Sequence, residues 1–165
     1  MAVNHVRIAW PAGEVFALLD ATPTSAVLCA VLPIESAANT WGEEVYFSVA
    51  INVKREADAR QVVDPGTICF WVEGSLLALP FGPTPISCGN ECRLITKVNV
   101  FSHFEGDAQL LETVKDGDKI RVESANSAAA QHSSAKFLLD VGTLSVRQPH
   151  AIDAKRKHCY KSIRI

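Results

Sequence analysis

Glu43, Glu44 and Tyr46 put two carboxyls and a phenol within four residues, and Asn39 and Trp41 stand just before them. These are the parts of a small acid–base site: a carboxylate to give or take a proton, a phenol and an amide to orient a ligand, an indole to exclude water. From Glu43 the pattern alternates as a half-buried strand does. Side chains two apart share a face, so Glu43, Val45 and Phe47 point one way and Glu44, Tyr46 and Ser48 the other. Val45 and Phe47 belong in a core. Glu43, at the start of the strand, keeps its access to water. Glu43 or Glu44 is the candidate general acid or base, with Tyr46 beside it, and an apolar wall would raise the carboxyl's pKa. A solvated sheet edge with one aromatic anchor would show the same pattern, since exposed Glu is the normal case.

Other residues could complete such a pocket. Trp71 lies on the face of its strand opposite Phe70 and Val72, so Trp71 with Trp41 or Tyr46 makes a candidate wall; Phe81 is a further aromatic, though aromatics also dominate cores. Phe81-Gly82-Pro83-Thr84-Pro85 is a stiff loop that offers backbone groups and the Thr84 hydroxyl. Asn39 and Asn99 each carry a donor and an acceptor suited to an amide, or to tying down a loop. Cys88 and Cys92 have one half of a metal-site spacing without a second pair or a neighbouring His. Cys69 or Cys88 as a nucleophile would need His103, the one central histidine. There is no phosphate-binding glycine loop and no dinucleotide fingerprint, so no metal and no cofactor is expected.

The chain has 165 residues, 48% hydrophobic and 21% charged, with a formal net charge of −2. That describes one ordinary globular domain and argues against nucleic acid as a general partner. Apolar runs fall far short of a membrane span, and residues 1–10 hold no continuous apolar stretch of a secretory signal. Five cysteines, an odd number, suit a reducing compartment, and a cytoplasmic location is expected. Charge divides the chain. Residues 1–125 hold 9 Lys and Arg against 16 Asp and Glu, and residues 126–165 hold 7 against 2. We therefore read a body, 1–124, and a basic, Ser/Ala-rich extension, 125–165. In the extension Phe137, Leu138, Leu139 and Val141 could dock on the body, and Lys155, Arg156 and Lys157 form a basic cluster.

Within the body the pattern predicts strands over 3–10, 14–19, 43–53, 67–73, 76–81, 91–104 and 119–123. Short helices are expected at 25–32, capped by Thr22 or Thr24, and at 108–114. Turns fall at Pro11-Ala12-Gly13, Pro65-Gly66, Gly74-Ser75 and Asp116-Gly117-Asp118. Many short strands with Gly/Pro-rich turns and two short helices imply a mainly β fold, an antiparallel barrel or sandwich.

Four ordered segments carry a family resemblance. NTWGEEVYFSVAINV (39–53), DPGTICFWVEGSLLALPFGPTPIS (64–87), KVNVFSHF (97–104) and VKDGDKIRVE (114–123) resemble small bacterial and archaeal cyclophilin-like proteins of unassigned function. The resemblance covers about residues 1–124 and implies a closed antiparallel β-barrel capped by two short helices. It does not imply prolyl isomerase activity. The Phe-His-Arg and Phe-Met-x-Gln-Gly-Gly segments of true cyclophilins are missing, and no motif places Arg55 or Arg60 as the catalytic arginine. Related cyclophilin-like domains occur in enzymes acting on cyclic amides and ureas, a likeness of fold alone.

The expected function is a small-molecule, amide-type binding or hydrolytic pocket. Its acid–base residues are Glu43, Glu44 and Tyr46, and its ligand contacts Asn39, Trp41, Trp71, Phe81, Thr84 and Asn99. The alternatives are a non-catalytic module that binds a peptide or protein, and a peptidyl-prolyl isomerase. The partners left open are a small molecule, a short peptide or a second copy of the chain, with neither nucleic acid nor membrane.

Overall fold

The computed structural model describes residues 5–125. Strands β1 (His5–Trp10) and β2 (Gly13–Leu19) form a hairpin, and helix α1 (Pro23–Val31) follows. Then come β3 (Ile34–Ala37), β4 (Asn39–Thr40), β5 (Glu44–Ser48), β6 (Arg60–Val63), β7 (Thr67–Trp71), β8 (Leu76–Pro80) and β9 (Cys92–Glu105). A 3-10 helix (Ala108–Thr113) and β10 (Lys119–Ser124) complete the described chain. Both helices lie where the sequence predicts them. The Thr22 side chain caps α1 by accepting from the Ser25 amide, and Asp107 caps the 3-10 helix by accepting from the Gln109 amide. β3, β4 and β6, four, two and four residues long, are too short to show a period and were not expected, and β5 ends at Ser48 although the apolar alternation runs on to Val53. Apart from Ala125, the predicted extension lies outside the described residues. Among those residues no helix is long and apolar enough to cross a membrane.

The fold is mainly β, and its strand pairings are antiparallel. The order is β3-β10-β1-β2-β9-β7-β8-β5-β4, with β6 on β9. The expected closure into a barrel is not drawn by this ladder, because its two end strands, β3 and β4, do not pair with each other. They are successive pieces of one segment joined by Ala38, a buried residue whose amide donates to the Asp118 carbonyl at 2.8 Å.

Alternation puts Val6, Ile8, Val15, Ala17, Val45, Phe47, Ile68, Phe70, Leu77, Leu79, Phe101, Ile120 and Val122 into one core. On β1 and β10 the opposite face is charged. Arg7 bonds Glu123 at 2.7 Å, and Arg121 bonds Glu123 at 2.8 Å and Glu35 at 2.7 Å, a solvent-screened row that follows the register of these strands. β7, β8 and β5 differ, because both of their faces are covered. β9 is 14 residues long, well beyond its neighbours. From Asn99 on it pairs with β7 and β2; before that it pairs with β6. The β6–β9 arm lies over the outer face of β7, β8 and β5. There Val63, Cys69, Ala78, Cys92, Leu94, Val98 and Val100 form a second core, with Tyr46 and Trp71 against it.

The turn before β5 is fastened to the loop after β8. The Glu43 amide donates to the Pro83 carbonyl at 3.1 Å, and the Phe81 and Gly82 amides donate to the Glu43 carbonyl at 2.9 and 3.2 Å. Gly42 sits at φ +61, where an added Cβ would lie 3.0 Å from the Thr84 Cα and 3.1 Å from the Pro83 carbonyl oxygen. Both the left-handed conformation and the backbone contact exclude a side chain. Gly42→Ala is expected to destabilise the protein by about 1–3 kcal/mol, read from urea denaturation midpoints. An unchanged midpoint would show that this turn can relax.

Candidate functional site

Between the β6–β9 arm and the sheet lies a half-enclosed cavity of about 210 Å³, lined by Trp41, Glu44, Tyr46, Trp71, Leu76, Ala78, Leu94, Ile95 and Val98. β5 contributes Glu44 and Tyr46; β7 and β8 contribute Trp71, Leu76 and Ala78; the arm contributes Leu94, Ile95 and Val98. Trp41 is held at the edge by a short turn, its amide donating to the Glu44 carbonyl at 2.9 Å. Thr40, one residue earlier, is anchored to Asp116, whose Oδ1 accepts from the Thr40 amide at 2.6 Å and from its hydroxyl at 2.8 Å.

Among the described residues Glu44 is the one charged group in the lining, and it is 7% exposed. Among the described residues no donor bonds its carboxyl, and burial pushes its pKa from the ordinary 4.5 up to about 7. Burial in the second core raises the thiols of Cys69 and Cys92; the Glu44 charge adds to the rise at Cys69 and, after those of Glu43 and Asp64, at Cys92. Such a carboxyl exchanges its proton near neutrality, as a general acid or base must. A perturbed group in an apolar cavity is also what marks a candidate site.

The structure brings together Glu44, Tyr46, Trp41 and Trp71 of the residues expected from the sequence. Asn39 pairs with Tyr46 across β4 and β5, which puts the two side chains on one face, but Asn39 is exposed and outside the lining. Glu43 does not line the cavity either; its carboxyl packs on Gly82, where an added Cβ would fall 1.5 Å from Oε2.

Three expected ligand contacts have structural places instead. Phe81 is buried in the main core. The Thr84 hydroxyl donates to the Arg93 carbonyl, and the Thr84 amide donates to Ser87 Oγ at 2.9 Å, which fastens the loop to the start of β9. Asn99 is fully buried away from the cavity. Its Oδ1 accepts from the Glu56 amide at 2.8 Å, and its Nδ2 donates to Thr24 Oγ1 at 3.0 Å and the Lys54 carbonyl at 2.9 Å.

Leu76, Ala78, Leu94, Ile95 and Val98 were missed. The unbroken apolar runs of β7 and β8 were the available signal, since a strand covered on both faces loses its alternation. Among the described residues no arginine lines the cavity and no three His, Cys, Asp or Glu side chains gather as a metal site.

Comparison with known proteins agrees with this architecture. A family model described as Cyclophilin-like matches residues 4–123. A hypothetical protein of Archaeoglobus fulgidus, whose structure was solved in solution, is 33% identical to the chain. That match covers 76% of this chain and 98% of the other, with a TM-score of 0.65. No curated protein matches the chain.

Glu44 makes stability depend on pH. Below 4.5 folded and unfolded chains both hold its proton. Between 4.5 and about 7 the unfolded chain releases a proton that the folded chain keeps, so stability falls as pH rises. The full displacement corresponds to roughly 3 kcal/mol. Glu44→Gln is expected to raise the melting temperature at pH 8 by several degrees and to change it little at pH 4, as read by calorimetry. Equal effects at both pH values would show that Glu44 is ordinarily ionised. Asn99→Ala, which removes three hydrogen bonds, one buried and two part-buried, is expected to lower stability by about 2–4 kcal/mol in urea denaturation; a loss under 1 kcal/mol would remove its anchoring role.

Proposed function

The chain belongs to the cyclophilin-like family, and we propose that the cavity under its β6–β9 arm binds a small amide-type molecule, with Glu44 as the proton-exchanging group. The observation that carries this is the unpartnered, buried Glu44 carboxyl, displaced to about 7, in a cavity otherwise walled by apolar and aromatic side chains. A protonated carboxyl presents one donor and one acceptor side by side. The cis-amide edge of a lactam or cyclic ureide presents the complementary acceptor and donor, and Trp41, Tyr46 and Trp71 supply flat surfaces for its ring. At about 210 Å³ the cavity is smaller than the roughly 300–1,000 Å³ of drug-sized sites, which suits a single ring. In a reaction of the bound amide Glu44 is the general acid or base and Tyr46 the orienting group. We also infer that segment 34–40, paired with β10 through β3 and with β5 through β4, completes the sheet as a barrel around the main core.

A short apolar peptide is the second candidate ligand, favoured by Ile95, which is 63% exposed at the cavity rim. The test is a thermal-shift series with δ-valerolactam and with X-Pro peptides at pH 6 and pH 8. Ligand at 100 times its dissociation constant adds about 2.7 kcal/mol, a shift of several degrees. The lactam is expected to stabilise more at pH 6, where Glu44 holds its proton. Glu44→Gln keeps a donor and an acceptor, so it should bind without that pH dependence and lose any turnover. Stabilisation by peptides alone would replace the amide with a peptide ligand.

A further inference from the structure

The ionised form of Glu44 suits a different ligand from the protonated one. Three aromatic side chains, Trp41, Tyr46 and Trp71, line the same cavity as the carboxyl, and among the described residues no cation lines it. Aromatic rings attract a cation over their faces at distances up to about 6 Å, most strongly when the site is shielded from water. A buried carboxylate without a counter-charge is the least favourable state of this site. A small cation with apolar substituents would meet both features, because its charge faces the carboxylate and the rings while its alkyl groups lie against Leu76, Leu94 and Val98.

We propose that the cavity is an aromatic cage for a small organic ammonium ion, of the N-methylated amine class, held by Trp41, Tyr46 and Trp71 around the Glu44 carboxylate. The proposal goes beyond the amide assignment and uses the opposite protonation state of the same group. Primary and secondary hydrated cations gain less, since the Glu44 carboxylate and the Tyr46 hydroxyl are few acceptors in place of a full hydration shell.

The pH dependence follows from the groups around Glu44. Tyr46 shares its strand and Glu43 precedes it. Cys69 of β7 and Cys92 of β9 lie within reach of its charge, and both thiols are raised by burial, so they stay protonated through neutrality. Arg60 of β6 is exposed beside Val98, its partner in the ladder, and its charge acts on Cys69. Asp64, after β6, acts on Cys92. Between pH 6 and 8 Glu44 changes charge while the two thiols keep their protons. A bound ammonium favours the carboxylate, draws its pKa down and releases a proton.

The experiment is titration calorimetry of the full chain with choline and with its uncharged isostere 3,3-dimethylbutan-1-ol, at pH 6 and pH 8. At pH 8 choline is expected to bind at least tenfold more tightly than the isostere. Its affinity should fall about tenfold from pH 8 to pH 6, following the ionised fraction of Glu44. Repeating pH 7 in buffers of different ionisation enthalpy should show net proton release. Glu44→Gln should reduce the preference over the isostere and abolish its pH dependence, and Trp71→Leu should weaken choline while leaving its pH dependence in place. Equal affinity of choline and the isostere at pH 8, choline binding that strengthens toward pH 6, or no choline binding would each overturn the cage. δ-Valerolactam binding that strengthens at pH 6 without choline binding would overturn the cage and leave the amide assignment standing. Failure of both ligands would overturn both.

Discussion

The β6–β9 arm covers a sheet face that an antiparallel fold of this kind could leave to water. Everything particular to the site depends on that cover. Without it Glu44, Tyr46 and Trp71 would be an ordinary polar and aromatic row on a solvated surface. With it, Cys69, Ala78 and Val100 become a second core, and Glu44 is left only 7% exposed. The cause lies in one strand. β9 continues 14 residues while the strands beside it run five to seven, so its first half has no partner in the main sheet. It takes β6 as partner and folds back over β7, β8 and β5.

Positioning around the cavity is done by backbone contacts more than by side-chain bonds. Gly42 permits the left-handed turn that aims Trp41, and Glu43 joins that turn to the Phe81–Pro85 loop through three backbone hydrogen bonds. Thr84 and Ser87 then hold the start of β9, so one side of the arm is pinned to the same loop that pins β5. On the far side Asn99 satisfies all of its bonds with α1 and the 54–56 loop at the point where β9 passes from one ladder to the other. The arm is therefore fixed at both of its ends, and the cavity lies between two anchored elements.

Much of this architecture was legible in the sequence because hydrophobic periodicity and turn chemistry are local. The β1–β2 hairpin, both short helices, the turn at Pro65-Gly66 and the inward Val45 and Phe47 follow from patterns within a few residues. Glu44, Tyr46 and Trp71 were separable from the main core by strand parity alone. What covers that second face was not legible, since parity says which residues leave the core and not whether another part of the chain folds over them. Phe81, Thr84 and Asn99 were expected at the pocket and stand outside its lining for a related reason. An aromatic, a hydroxyl and an amide beside a pocket motif look alike whether they meet a ligand or satisfy buried backbone groups, and only the count of their partners in three dimensions separates the two. Glu43 and Glu44 were equivalent candidates until burial distinguished them.

Glu44 works against the fold that holds it. A displacement to about 7 means that at neutral pH and above the folded chain carries a penalty approaching roughly 3 kcal/mol, against a total stability of about 5–15 kcal/mol for a domain. Leucine or methionine would fill the same space beside Ala78 and Leu94 without that penalty. Other buried polar groups of the described chain do not share this character, because Asn99, Thr24, Thr67, Thr84 and Ser102 each meet a hydrogen-bond partner. The exception stands where the sheet, the arm and three aromatic rings converge. A ligand that supplies either a complementary amide edge or a positive charge removes the penalty at the moment it binds. The energy stored in the unpartnered carboxyl then becomes part of the ligand's affinity, and the local defect in the fold is what gives the cavity its selectivity.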